Sequence, residues 1–405
     1  MKIRGTYLFV VISMCGLIAT SLGILTNVAG LFFSPVAKDL GLGMGQMSLT
    51  LTICNLSYAV AGMIVPRILN PKTYKKLIIT GTLLIAGTTA LLSTTQNIWM
   101  LYGCNMVRGF CGGIVGMVIA TMTINNWFVE MNGLATSIVM ATSGLTGMAL
   151  SPVISAVIEG AGWRVGYLVT AVIVLLLNLP AMALPISLTP ETLGMLPLGG
   201  EAASNDKPSG AGSGEAIDKA LLLMLLIFGA FSSFATVLPQ FFPGIAESYS
   251  CGAAVGATML SMCMGVNTGG KILLGILVDR IGTRTSLIIY DALVLLSLAV
   301  LMFIRIPAAL TAGAALFGLG YGICIVGGVM LTKELFGNEN YGKVYPQISL
   351  AITLFNALGS VLIGSFYDML GSYSGIILMV AVMMAVVMVI IVMAYRKKAN
   401  QMKPV

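Results

Sequence analysis

Two cations stand in stretches that otherwise carry no charge: Lys271, in Asn267-Thr-Gly-Gly270-Lys271-Ile-Leu-Leu-Gly275, and Arg108, in Arg108-Gly109-Phe-Cys-Gly112-Gly113. A charge in the middle of an apolar helix costs about 2.5–3.5 kcal/mol on insertion scales, so it is retained where it has a partner to hold. The chemistry open to Lys271 is capture of an anion such as a carboxylate, or structural pairing with a helix-end carbonyl or with Asp291. A lysine offers this as a point charge, without the planar fork of arginine. Asp291 is the best-placed carboxylate inside an apolar run and lies seven residues beyond Arg284. An acid and two bases, Asp279, Arg280 and Arg284, stand together at one helix end, where they can latch neighbouring helices in one state and release them in another, or simply anchor the helix by positive charge. Phe317 and Tyr321, spaced i, i+4, share one helical face as cavity wall or as packing.

Other chemistries lack their residues. The chain has no histidine, which removes the imidazole relay and the usual zinc ligand. Cys15, Cys54, Cys104, Cys111, Cys251, Cys263 and Cys324 show no CxxC pairing and no framework spacing, and read as small buried hydrophobes. No constellation supports an enzyme, a metal centre, a cofactor or a nucleic-acid surface.

The elements that must position these side chains follow from composition. Of 405 residues, 58% are hydrophobic and 9% charged, against about 25% charged in soluble domains. A bilayer core of about 30 Å takes roughly 20 apolar residues per helix. That ruler predicts an all-α membrane protein with spans near 8–33, 46–68, 77–95, 98–121, 133–158, 163–186, 219–241, 252–278, 285–304, 308–331, 343–366 and 373–395. Met1-Lys2-Ile3-Arg4 and the apolar run behind it resemble a signal sequence, but no A-x-A-type cleavage site follows, so the first helix is expected to stay.

With an inside start, sixteen of the 21 Lys and Arg residues fall on the cytoplasmic side; Lys38, Arg164 and Arg305 fall outside, and Arg108 and Lys271 within spans. That asymmetry predicts both termini cytoplasmic and an even number of spans. Residues 187–217, rich in Pro, Gly and Ser with both signs of charge, read as a flexible cytoplasmic linker. It separates an N-terminal six-helix bundle, 1–186, from a C-terminal one, 218–395, before a basic tail at 396–405. The halves echo one another, as repeat-built transporters do: Gly62 to Arg67 resembles Gly275 to Arg280, and the glycines at 109, 112, 113 and 116 resemble those at 318, 320, 322, 327 and 328.

Gly275, Asp279, Arg280, Gly282 and Arg284 fit G-x-x-x-D-R-x-G-x-R, and with the two six-span halves they resemble the major facilitator superfamily. Asn126-Trp127-Phe128, then Gly133 to Ser137, Gly144, Gly147 and Pro152, are similar to the oxalate/formate antiporter and monocarboxylate porter group. Gly162-Trp163-Arg164 and the stretch from Pro190 and Glu191 through Gly194 to Pro197 extend the likeness. The resemblance implies that Lys271, where the group usually has arginine, faces a central cavity and pairs with a substrate carboxylate. It implies that Phe317 and Tyr321 line that cavity with Asn267, and that Arg108 organises backbone carbonyls, assists proton transfer or touches substrate. Asp291 is expected to close the charge network of Asp279, Arg280 and Arg284.

Two departures narrow the expectation. The family's oxalate exchange uses a second cation in span 11, but Tyr345-Pro346-Gln347-Ile348-Ser349-Leu350 is neutral, which favours a monocarboxylate. Proton-coupled porters place an aspartate four residues before the span-8 cation, where this chain has Asn267. The expectation is therefore a monomeric carrier in the cytoplasmic membrane that moves a small organic anion by alternating access of its two halves around Lys271, in exchange for a second anion. The alternatives are proton-coupled monocarboxylate symport and export of amphipathic compounds.

Overall fold

The computed structural model describes residues 2–199 and 218–401. The chain divides into two compact units, residues 1–205 and 206–405.

In the first unit, α1 (Lys2–Ile18) runs on into a π-helical stretch, Ala19–Asn27, and a 3-10 turn, Ala29–Phe32. Then come α2 (Phe33–Leu40), α3 (Met44–Ile68), α4 (Pro71–Leu92), α5 (Ile98–Val115), α6 (Met117–Trp127), α7 (Asn132–Ala161) and α8 (Trp163–Ala183). The second unit contains α9 (Lys219–Ala235), a 3-10 turn at Leu238–Phe241, α10 (Phe242–Ser248), α11 (Ala253–Ile281), α12 (Thr283–Phe303), α13 (Pro307–Gly320), a π segment at Ile323–Gly327, α14 (Gly328–Leu370) and α15 (Tyr373–Gln401).

The 3-10 turn, the following short helix and the next long helix begin at residues 29, 33 and 44 in the first unit and at 238, 242 and 253 in the second, a constant offset of 209. The repeat that the sequence shows only as scattered glycines is therefore in strict register here. Gly62 to Arg67 and Gly275 to Arg280, paired by their sequences, are 213 apart and fall out of that register.

Local chemistry sets the helix ends. The Asn70 side chain accepts from the backbone N–H groups of Lys72 and Thr73, both at 3.0 Å, while Thr73 Oγ1 accepts from Asn70 N at 3.0 Å. Pro71 then occupies the first helical turn, where its missing N–H is no loss. Asn97 caps α5 through Met100 N at 3.0 Å, and Asp218 caps α9 through Ala220 N at 2.9 Å. Lys397 Nζ reaches the same Asp218 carboxylate at 2.7 Å and ties α15 to the start of α9.

Among the described residues, eleven helices are long and apolar enough to cross a membrane, from 21 to 30 residues each. This is a multi-pass membrane protein. The span expected near 308–331 is the exception. Its helix, α13, has 14 residues, about 21 Å at 1.5 Å per residue, short of a bilayer core. Five glycines between 318 and 328 let the chain leave regular helix there. Gly337, at φ 70° and ψ 171°, then breaks α14 within its run.

The outward faces are apolar, with Trp99 76% and Met369 80% exposed, as suits a lipid-facing surface. Inside each unit the helices meet through small residues rather than through hydrophobic drive, which lipid does not supply. A methyl group at Gly109 on α5 would fall on the Cys54 carbonyl of α3. At the equivalent place a methyl at Gly318 on α13 would fall on the Cys263 carbonyl of α11.

Residues 187–199, expected as the start of a slack linker, are fastened to the first unit. Trp127 Nε1 donates to Ser187 O at 2.9 Å, Asn126 Nδ2 to Leu188 O at 3.1 Å and Tyr7 Oη to Leu196 O at 2.6 Å. Leu198 N donates to Trp127 O at 2.9 Å, and Leu198 O accepts from Val129 N at 3.0 Å. The remaining linker residues, 200–217, and the end of the basic tail, 402–405, lie outside the described residues.

Candidate functional site

Arg108 lies on α5, one helical turn after Asn105, so the two share a face. Arg108 Nη1 donates to Asn105 Oδ1 at 3.0 Å, and Asn105 Nδ2 in turn donates to Leu101 O at 2.9 Å, which fixes the amide's orientation. The guanidinium is 7% exposed and its Nε has no hydrogen-bond partner. No ion pair to Arg108 occurs among the described residues.

The guanidinium faces a cavity inside the first unit. It is built by the π-helical end of the first span with the turn behind it, by Phe33 at the start of α2, and by α3, α5 and α8. Phe32 and Tyr167 form an aromatic wall, stacked at 4.0 Å between centroids with planes 12° apart. Thr50 and Thr170 add hydroxyls, and no acidic side chain lines the space among the described residues. Such a cavity suits a ligand with one negative charge and a small apolar or hydroxylated body.

One rim of the cavity is tied down. The 3-10 turn bearing Phe32 leads into α2, and Asp39 near the end of that helix accepts from Arg164 Nη1 at 2.6 Å and from Trp163 Nε1 at 3.1 Å. Arg164 also lies over the Trp163 ring at 4.1 Å. The Arg164 guanidinium holds the Asp39 carboxyl below its usual range, with smaller help from Trp163.

The second unit brings together some of the expected residues and not others. Phe317 and Tyr321 do line one cavity, of about 220 Å³, with Ser232, Thr236 and Cys324. Phe317 meets Phe242 edge-on at 6.0 Å. Asn267 and Lys271 do not line that space. Asn267 is buried with Oδ1 unpartnered. Lys271, one turn further along α11, is half-buried, makes no ion pair or hydrogen bond among the described residues, and runs its stem past Gly322.

The charge network expected at the turn from α11 to α12 is absent among the described residues. Asp279, Arg280 and Arg284 are exposed and form no ion pair with one another, and Arg284 instead faces the Tyr395 ring at 5.9 Å. Asp291 does not close that network. It is 0% exposed, and neither carboxylate oxygen has a partner. Arg284, seven residues before it on α12, makes no ion pair with it among the described residues.

Sequence reasoning passed over Asn105, Tyr167, Thr50 and Thr170. Only Asn105 carried a signal, as the hydrogen-bonding residue three before a buried arginine; the others meet Arg108 through tertiary packing alone.

The Major Facilitator Superfamily model matches residues 14–345 and 223–404, nearly the whole chain. The chain belongs to the Major Facilitator Superfamily. One relative within it, the MFS-type transporter pynF of Aspergillus niger, is 24% identical over 288 residues, which is 69% of this chain and 61% of that protein. Two solved superfamily-like folds cover 96% of this chain. They are the nucleoside transporter NupG, at TM-score 0.67 and 12% identity over 98% of its length, and a D-xylose-proton symporter, at 0.66 and 14% over 96% of its length. At such identities the likeness is one of fold.

Proposed function

We propose that this chain is a secondary transporter in the cytoplasmic membrane that carries small organic anions, with a monocarboxylate as substrate, by alternating access. The observation that carries this reading is Arg108, a cation 7% exposed with no acidic partner, in an aromatic-walled cavity. A buried guanidinium without a carboxylate is a standing site for one. Lys271 supports the same reading from α11 as a second half-buried, unpaired cation. The neutral span 11 and the resemblance to monocarboxylate porters favour a monoanion over oxalate. Exchange for a second anion, or symport with a cation, follows if the unpaired charge of Lys271 hinders the empty carrier and a bound anion relieves it.

The test is counterflow of labelled lactate into proteoliposomes of the full chain, with competitors of each charge class. Pyruvate and formate should compete, and xylose and nucleosides should not. Competition by the neutral compounds, with none by monocarboxylates, would overturn the reading.

A further inference from the structure

We propose that Asp291, in the second unit, is a proton-binding site within the membrane, which couples transport to proton movement. The inference rests in part on the carboxylate reading above, but its proton chemistry stands on Asp291's own surroundings.

Asp291 is fully enclosed, yet neither of its oxygens accepts a hydrogen bond from any described residue. Structural carboxylates in such places are held by donors or by a cation, because burial without either disfavours the charged form. Asp291 has neither.

Its position on α12 is also specific. Leu287, four residues before it, lies against Gly327, and Val294, three residues after it, lies against Gly320. The carboxyl therefore belongs to the stripe of α12 that runs along residues 320–327, where α13 has ended and the chain passes through a π segment. Irregular backbone at membrane depth persists where it lines a cavity, and π-bulges recur at functional sites. Here Val294, Gly320 and Tyr321 line the 220 Å³ space. Asp291 lies one turn of α12 before Val294, which lines that space.

The groups that face α12 leave Asp291 unpaired. No titratable side chain occurs within α13, and the π segment contributes Cys324. α11 contributes Lys271, next to the Gly270 carbonyl that accepts from Tyr290 at 2.8 Å. Glu334 of α14 and Tyr395 of α15 gather with Arg284 at the far end of the helix. None of these hydrogen-bonds or ion-pairs with Asp291. The step itself is a simple equilibrium: a proton from the cavity binds one Oδ, the carboxyl becomes neutral, and the same proton leaves on the other side of the membrane.

The decisive experiment uses the purified full chain and its Asp291→Asn variant. In infrared titration between about pH 5 and 9, the wild type should show a carboxylic-acid carbonyl band that comes and goes with pH and is missing from D291N. A spectrum without that difference overturns the proposal, whatever the substrate proves to be. In proteoliposomes, the ratio of lactate uptake driven by a proton gradient to lactate counterflow should fall at least tenfold in D291N. An unchanged ratio, or uptake driven by sodium in place of protons, also overturns it. A titrating band in a protein that moves no lactate would leave the proton site standing and remove the carboxylate reading instead.

Discussion

The Asp39 carboxylate and the Arg164 guanidinium meet at 2.6 Å and join the end of α2 to the start of α8, whose Tyr167 stacks on Phe32 in the wall of the Arg108 cavity. The partners are 125 residues apart in the chain, so the contact holds a tertiary arrangement rather than a local turn. Because Arg164 depresses the Asp39 carboxyl, its stabilisation is present above the unfolded value, near pH 3.9 for aspartate, and is lost as pH falls through the lower folded value. Wild type and Asp39→Asn should therefore differ in melting temperature at neutral pH and converge as pH falls through the lowered folded value. A difference that persists undiminished in acid would show that the ion pair is not its source.

Helix contact through glycine gives a second expectation. Gly109→Ala and Gly318→Ala each place a methyl on a facing carbonyl and should destabilise the unit concerned by about 1–3 kcal/mol. Gly87→Ala, on an exposed face of α4 with nothing within 4 Å of the new carbon, should be neutral or stabilising by about 0.5–1 kcal/mol. Thermal melts in detergent separate the two outcomes.

The clasp at Trp127 predicts a local effect. Trp127→Phe keeps an aromatic ring but removes the donor to Ser187 O, worth about 1 kcal/mol. Amide exchange at Leu198, which donates to Trp127 O at 2.9 Å, should quicken several-fold while α7 and α8 exchange as before. Unchanged protection at Leu198 would mean that ring packing alone holds residues 187–199.

Lys271 tests the second cation. Lys271→Gln removes the charge at a half-buried site with no ion pair to break, so the fold should be little disturbed. Lactate counterflow should weaken by about tenfold, the range of one lost charge-assisted hydrogen bond. Full counterflow in Lys271→Gln would exclude the lysine from the substrate path.

The long spans were legible because lipid imposes a simple ruler: α3, expected at 46–68, runs Met44–Ile68, and α12, expected at 285–304, runs Thr283–Phe303. The short helices α2 and α10 were hidden because their residues continue the apolar texture of the spans before them, and hydropathy does not register a bend. The site was legible only where a charge broke that texture. Arg108 and Lys271 announced themselves, but the wall of Phe32 and Tyr167 pairs residues 135 positions apart, and no local spacing encodes such a stack. Asp291 was visible as a carboxylate, but proximity to Arg284 along the chain does not reveal that Arg284 turns to the Tyr395 ring and leaves Asp291 unpartnered.

The central claim is that a small organic anion binds against Arg108, and titration of the purified protein with lactate measures it directly. Wild type should bind, while Arg108→Gln, folded as judged by an unchanged melting temperature without ligand, should lose affinity by about 10–100-fold, the equivalent of about 1.5–3 kcal/mol for a hydrogen-bonded charge. Lactate binding to folded Arg108→Gln with wild-type affinity would contradict the account.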